Sequence, residues 1–531
     1  MPSRSTFVTH TINGGWATDF NPLLTAAPDE AGYVSIPYLA DAGNIEYLLA
    51  GGVRKIGGTT RVNAADISSS TTTITGLYDY WRQGTAGTPT RRRVCHAGTQ
   101  IYADTDDTVF NSIATGLESA AIPQYSQFDD FLIIGSSATA DVPRSWDQTT
   151  FQNLAGSPPN FSFSVPHKNK QWAAGVAAAP STLYFSVTLD PEDWTGVGSG
   201  SISIDPNDGD SIVGIMSFRN ELIVWKGPYK GSIHRITGSS SSDFARTTYI
   251  RGLGGVWQNS MVPYGSDVAW IAPTGTIHSL AATDQFGDYN QAYLSQPIDS
   301  WIRDNINKPR LKFAWGVNDT LNGRLLFGLS RTAVQSNDFM LVYDYRFQPG
   351  RWAYYNAYPS ASLGYFVDGG GQHRRAYVGG TNGRIRRINM PMRSIDGSTA
   401  YTARVTTPYL NYGSSVRVKT IGAVGIGFTP TGDYNTTVGF SRDGKAQQTA
   451  TVSMIGGDVL ATAPAGATDF TLDSSVLGGA LQVSRYTRVE TGGEFRAIQY
   501  QITQGGADQE MEVYDFTAHI NAEGMALEAL N

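Results

Sequence analysis

Between residues 72 and 390 the chain keeps returning to one pattern, a short apolar run of β-formers closed at both ends by Gly, Pro, Asn or Asp. The runs are centred near Ile101, Ile133, Tyr184, Ile223, Trp270, Phe327 and Tyr377, roughly 30 to 60 residues apart, close to the ~40 residues of a four-stranded propeller blade. Residues 208–237 (DGDSIVGIMSFRNELIVWKGPYKGSIHRIT) show the unit best. An apolar strand leads into a polar turn at Arg219-Asn220-Glu221. A second strand ends in Trp225-Lys226. The loop 227–231 then returns a third strand. Such a unit cannot bury its own apolar faces and needs neighbours built like it. The spacing is irregular and no signature dipeptide recurs, which separates the pattern from WD40 and kelch arrays. Hairpins distributed over sandwiches are the competing arrangement. So many similar units over ~300 residues favour an all-β, irregular β-propeller of about six blades, whose edges are protected by closure.

The rest of the chain is organised around that block. At 531 residues one core is too few. Residues 1–71 mix Gly, Pro and short apolar pieces and read as an extended N-terminal arm packing on the C-terminal domain. Residues 72–392 are the propeller. One segment inside it breaks the pattern. Ile298, Trp301, Ile302 and Ile306 fall at helical spacing, which predicts a short helical insertion near 297–306 with Asp299-Ser300 as its cap. Residues 393–531 alternate apolar and polar positions between Gly, Pro and Asp turns and predict a β-sandwich; 523–531 reads as a helical tail. Charged residues are only 16% of the chain and Gly counts 59, as suits short strands and tight turns.

Constellations for catalysis or metal binding are not apparent, and the chain is expected to be neither an enzyme nor cofactor-dependent. The seven His are scattered, and His234 and His278 are expected to face solvent on alternating strands. The single Cys, Cys95, excludes an intramolecular disulfide and reads as a small core residue. Three carboxylate pairs could serve a glycan-cleaving propeller: Asp129-Asp130, Asp190 with Asp193, and Asp208 with Asp210. Each lies beside turn formers, where Asp is expected for backbone reasons. A net charge of −7 argues against gripping nucleic acid over the whole surface. Three basic clusters stand out locally: Arg91-Arg92-Arg93, Arg374-Arg375, and Arg384 with Arg386-Arg387. Solvated strand ends, salt bridges to a neighbouring subunit and contacts with nucleic-acid phosphates remain open for them. No apolar run reaches the ~20 residues of a membrane span, and the first residues lack a signal-peptide core.

The chain resembles the tail nozzle proteins of short-tailed bacteriophages, also called tail tubular protein B or packaged-DNA stabilisation proteins. Three places carry the resemblance. The first is the opening, with Gly14-Gly15, Pro28-Asp29-Glu30-x-Gly32 and Val53-Arg54-Lys55-Ile56-Gly57-Gly58. The second is the 208–237 hairpin. The third is the closing pair of strands, 493–500 (GEFRAIQY) and 510–516 (EMEVYDF). The resemblance implies a virion structural protein assembled in the host cytoplasm. It implies a homohexameric conduit below the portal and its adaptor, with tail fibre or needle proteins beyond. The conduit would retain packaged double-stranded DNA and let it pass on infection without sequence-specific binding. No catalytic residues come with it. A glycan-binding or glycan-cleaving propeller on a virion or cell surface is the alternative, motivated by the many Trp and Tyr in loops. Trp225 and Tyr229 are both expected to pack within or between blades.

Overall fold

The central strand of each repeat carries apolar side chains on both faces, and this dictates how the repeats pack. In Glu221–Gly227, Leu222 and Val224 point one way and Ile223 and Trp225 the other, as the two-residue period of a strand requires. Leu222 and Val224 join Phe163, Trp172 and Phe185 of the preceding sheet. Ile223 and Trp225 join Val268 and Trp270 of the following one. The strand Phe131–Ser136 behaves the same way: Leu132 and Ile134 pack with Tyr80 and Ile101, and Ile133 with Phe161 and Ala173. Sheets covered on both faces by similar sheets stack face to face, and their twist closes the row into a ring.

The structure, a computed structural model, describes residues 5–12, 14–24, 33–84, 87, 89–104, 108–119, 121–280, 293–358, 362–367, 374–454 and 485–522. Among them the chain divides into two compact units. One comprises residues 61–341 and 358–388 and is a six-bladed β-propeller. Its first four blades are four-stranded antiparallel sheets, opening with Ile74–Arg82, Pro123–Phe128, Phe163–His167 and Ser211–Phe218. The fifth has three strands, Val262–Tyr264, Asp267–Ile271 and Ile277–Ser279. The sixth contains Ser362–Val367, Arg374–Gly379 and Ile385–Met390. Between the fifth and sixth, the ring also takes in the paired strands Trp315–Asp319 and Arg324–Leu329. All seven apolar strands read from the sequence therefore lie in separate sheets. The count of about six holds for blades that are sheets of their own.

Closure joins the last blade to the first. A Cβ on Gly364 would lie 2.5 Å from that of Leu77, so the two innermost strands approach as closely as they do only because a glycine stands there. Ile74, Leu77 and Cys95 share a cluster with Phe366, Tyr377 and Ile385. The stretch just before the first blade adds a clasp. Val62 N–H donates to the Ile385 carbonyl at 2.9 Å, and Ile67 N–H to that of Gly383 at 2.8 Å. Asn63 receives the Ile385 N–H at 2.8 Å and donates to the Gly383 carbonyl at 2.9 Å.

These bonds correct the expected boundaries. The propeller starts at Arg61, not at 72, because 61–67 pairs with its last strand. Conversely, residues 342–357 belong to the other unit, together with 1–60 and 389–531. There Tyr47 donates its hydroxyl to the Trp352 carbonyl at 2.6 Å, and Asn44 caps the Asn356 N–H at 2.9 Å. The expected helix is present as Asp299–Asn305, preceded by a 3₁₀ turn at Gln296–Ile298. Its cap differs from expectation. Ile298 stands at the N-cap without a side-chain bond, while Asp299 lies in the first turn and pairs with Arg303 at 3.1 Å.

Among the described residues the second unit contains two large sheets and a small parallel pair, Gly15–Trp16 with Tyr38–Leu39. One large sheet orders Tyr33–Ser35, Ser5–Thr11, Glu512–Ala522, Lys419–Phe428 and Arg485–Phe495. In the other, Asp41–Gly43, Ala403–Thr406 and Ile498–Gln504 are successive neighbours. The sheets face each other through Tyr500 and Phe516, whose rings lie 4.7 Å apart, as a sandwich requires. The N-terminal arm is not laid across this unit but woven into it. Ser5–Thr11 pairs antiparallel with the C-terminal strand, from Ser5↔Asn521 to Thr11↔Asp515. The expected tail at 523–531 lies outside the described residues.

Candidate functional site

Asp210 begins the fourth blade and organises the loop that follows its second strand. Its carboxylate accepts the N–H groups of Tyr229, Lys230 and Gly231 at 2.7, 2.9 and 2.7 Å, and the residue is only 4% exposed. A carboxylate meeting three convergent backbone donors fixes the loop without help from its side chains. Tyr229 is then free to project outward, and it is 82% exposed. This corrects the expectation that Tyr229 packs within or between blades. Trp225, fully buried beside Trp270 with ring centroids 6.1 Å apart, does pack between blades.

Tyr229 stands at the edge of a cavity of about 560 Å³ between the fourth and fifth blades, a volume in the range of small-molecule sites. One wall is the 228–231 loop and Gly252, Leu253 and Gly254; the fifth blade supplies Pro273, Thr274, Thr276 and His278. Tyr293 and the helix bring Asp299 and Arg303, and Lys308 follows. Three cations, Lys230, Arg303 and Lys308, thus meet one carboxylate, Asp299, in a chain whose total charge is −7. The fifth-blade wall carries a hydrogen-bond relay. The Thr274 and Thr276 hydroxyls are 2.6 Å apart, and Thr276 Oγ1 is 2.9 Å from His278 Nε2. The His278 ring stacks against Trp270 at 5.8 Å. Its Nδ1 has no hydrogen-bond partner among the described residues.

His278 and His234 were expected on solvent-facing positions; both are buried. The third strands that hold them are themselves covered on both sides, so alternation does not expose either residue. Each His is paired with a hydroxyl two residues earlier on the same face: Ser232 for His234, Thr276 for His278, both at 2.9 Å. Burial lowers both imidazoles to about 4 and holds them neutral at pH 7. The repeated Ser/Thr-Ile-His was the sequence signal for this arrangement. Arg303 and Lys308 carried no such signal, because only the fold brings the helix to the 228–231 loop.

The carboxylate pairs do not converge on a reactive centre. Asp130 accepts the N–H groups of Gln83 and Gly84, and Asp190 that of Glu192. Asp193 accepts those of Thr195 and Gly196. Asp208 accepts from Lys226 at 2.7 Å; the buried ammonium also donates to the Ile204 and Asp205 carbonyls, both at 2.8 Å. Cys95 is buried in the core between the first and last blades, as expected. Three arginines of the basic clusters are held by carboxylates of their own chain. Arg91 pairs with Asp79 at 2.7 Å and Arg93 with Asp104 at 2.8 Å, both inside the first blade. Arg92 donates to the Arg91 carbonyl at 3.4 Å. Arg384 shares Asp66 with Arg61, at 3.1 and 2.8 Å. Arg386 is buried and donates to Asn382 at 3.2 Å. Arg374, Arg375 and Arg387 lie on the last blade's second and third strands. Among the described residues no group of His, Cys, Asp and Glu is arranged to hold a metal ion, and no helix is long and apolar enough to cross a membrane.

No family model and no curated protein matches the chain. Among solved structures it is similar to YCF48 bound to D1 peptide, at 10% identity over 63% of this chain and 97% of that one, with a TM-score of 0.38. The propeller domain of Cps50 (Swd1) from Myceliophteria thermophila matches at 11% identity over 64% and 99%, TM-score 0.37. An exo-β-1,3-galactanase from Phanerochaete chrysosporium matches at 9% identity over 88% and 99%, TM-score 0.28.

Proposed function

We propose that the chain is a structural subunit of a phage tail nozzle, a homohexameric conduit that meets the adaptor and portal complex and lets double-stranded DNA pass without reading its sequence. The resemblance in the opening residues, the 208–237 hairpin and the closing strands motivates the reading. The observation that carries it is the pairing of three of the cluster arginines with carboxylates of their own chain. Arg91, Arg93 and Arg384 face Asp79, Asp104 and Asp66 of their own chain. These pairs weaken the local positive charge, and the net charge of −7 acts on a polyanion. Six copies would carry about −42, partly screened at physiological salt, which favours sliding over gripping.

The test is assembly. The purified chain, mixed with portal and adaptor proteins, is expected to give six-fold rings or tubes in negative-stain images and a mass step of six subunits on the portal complex. A chain that stays monomeric with both partners present would overturn the reading. At low salt, the assembled ring is expected to bind free double-stranded DNA on its surface no better than an equally sized neutral protein in a filter assay; tight surface binding would count against a conduit through which packaged DNA is held and then passes.

A further inference from the structure

From the cavity between the fourth and fifth blades we infer that this propeller carries a binding site for an acidic saccharide, with Tyr229 as the platform for the sugar ring and the cations Lys308 and Arg303 facing its carboxylate. The argument starts from an exposed aromatic ring on a fixed loop. Tyr229 is 82% exposed and lines the cavity. Yet its backbone is held by the buried Asp210 through three hydrogen bonds spanning Tyr229–Gly231. The loop backbone is thereby fixed, so a ligand that covers the ring has only side-chain freedom to order and not the loop. Tyr offers a large, rigid, amphipathic face of the kind used in adaptable recognition.

The remaining walls fit a polyhydroxylated, negatively charged ring better than a flat base. Thr274, Thr276 and His278 form a chain of groups that both donate and accept, as sugar hydroxyls do. His278 is 4% exposed and lines the cavity, with its Nε2 engaged by Thr276 at 2.9 Å. Arg303 is paired with Asp299 at 3.1 Å but stays 59% exposed, so the pair shows guanidinium donors and a carboxylate side by side, a match for neighbouring hydroxyls. With Lys230 and Lys308 the lining carries three cations against one carboxylate, which selects for an anion. Asp210 does not offset them at the cavity wall, because its oxygens are turned to the loop N–H groups.

The experiment uses the full chain on a glycan array carrying glucuronate-, galacturonate- and sialate-terminated oligosaccharides beside their neutral counterparts. Titration calorimetry follows with the best acidic hit and with uridine monophosphate as the flat-ring anion. Signal is expected on acidic sugars only. Tyr229→Ala is expected to weaken the hit about tenfold or more. Lys308→Ala is expected to weaken it less and to flatten its salt dependence. Both side chains are exposed, so neither variant should shift the melting temperature. A blank array, equal binding of neutral sugars, unchanged affinity in Tyr229→Ala, or binding of the nucleotide in place of the sugar would each overturn the site. None of these outcomes bears on six-fold assembly with the adaptor and portal, so the two readings fail separately.

Discussion

At the scale of single residues, neighbours a few positions apart do opposite things. Trp225 and Tyr229 differ by four positions, and one is fully buried while the other is nearly free. Trp225→Ala should empty a space against Trp270 and Val268 and lower stability by roughly 3 kcal/mol or more in urea denaturation. Tyr229→Ala should stay within about 0.5 kcal/mol of the parent. Asp210 makes a sharper case. Its removal in Asp210→Ala strands the loop donors, of which the Gly231 N–H is buried. The expected loss is about 2 kcal/mol, with Asp210→Asn in between because an amide oxygen still accepts but without the charge. If Asp210→Ala melts like the parent, the loop is held by something other than this carboxylate.

At the scale of elements, the turns follow local chemistry and the closure does not. Arg219-Asn220 and Lys168-Asn169 both place two successive residues at positive φ, between 47° and 67°. That is the two-residue hairpin geometry whose twist suits the strands, and Asn tolerates it. The clasp at 61–67 is a long-range feature instead. Asn63 bridges Ile385 and Gly383 across more than 300 positions of sequence. Asn63→Ala should cost roughly 1 to 3 kcal/mol, since it leaves the Ile385 N–H without its acceptor. Hydrogen exchange is the direct measurement. Faster exchange is expected at Ile385 and in Ile74–Arg82 on the far side of the closure, with the third and fourth blades unaffected. Uniform acceleration across all blades would mean that the clasp contributes to global stability and not to closure.

At the scale of the whole molecule, buried histidines link stability to pH. Burial lowers His96, His167, His234 and His278 to about 4 and His10 to about 3, from an ordinary value of 6.5. The folded chain therefore binds fewer protons than the unfolded chain between those values, so stability rises with pH across that window. Their contribution is complete above about pH 6.5 and is lost as pH falls towards 4. Melting temperature should drop progressively over that range. His234→Gln should flatten the slope, because the amide carries no proton to take up. Asp243 titrates lower, pulled to about 2 by N–H bonds from Ser240 and Ser239, and does not contaminate the window. A melting temperature that is flat from pH 7 to 4.5 would contradict the burial of these rings.

The sequence by itself determined the class of fold and its periodicity. Continuous apolar strands such as 131–135 and 222–225 have no polar face to show to water, so they demand a similar sheet on either side, and that demand is local. The turn residues, the short helix at 299–305 and the core position of Cys95 followed from equally local rules. Tertiary structure alone decided which distant segments meet. The arm read as an extended segment packing on the C-terminal domain, and only the fold makes Ser5–Thr11 an internal strand, paired on one edge with 515–521, about 500 residues away, and on the other with 33–35. His234 and His278 looked solvent-facing because alternation tells which residues share a face, not whether that face is covered. The cavity was illegible for the same reason. Tyr229, His278 and Lys308 come from a loop, a strand and the residues after a helix, and no spacing in sequence records that the closing of a ring places them around one volume.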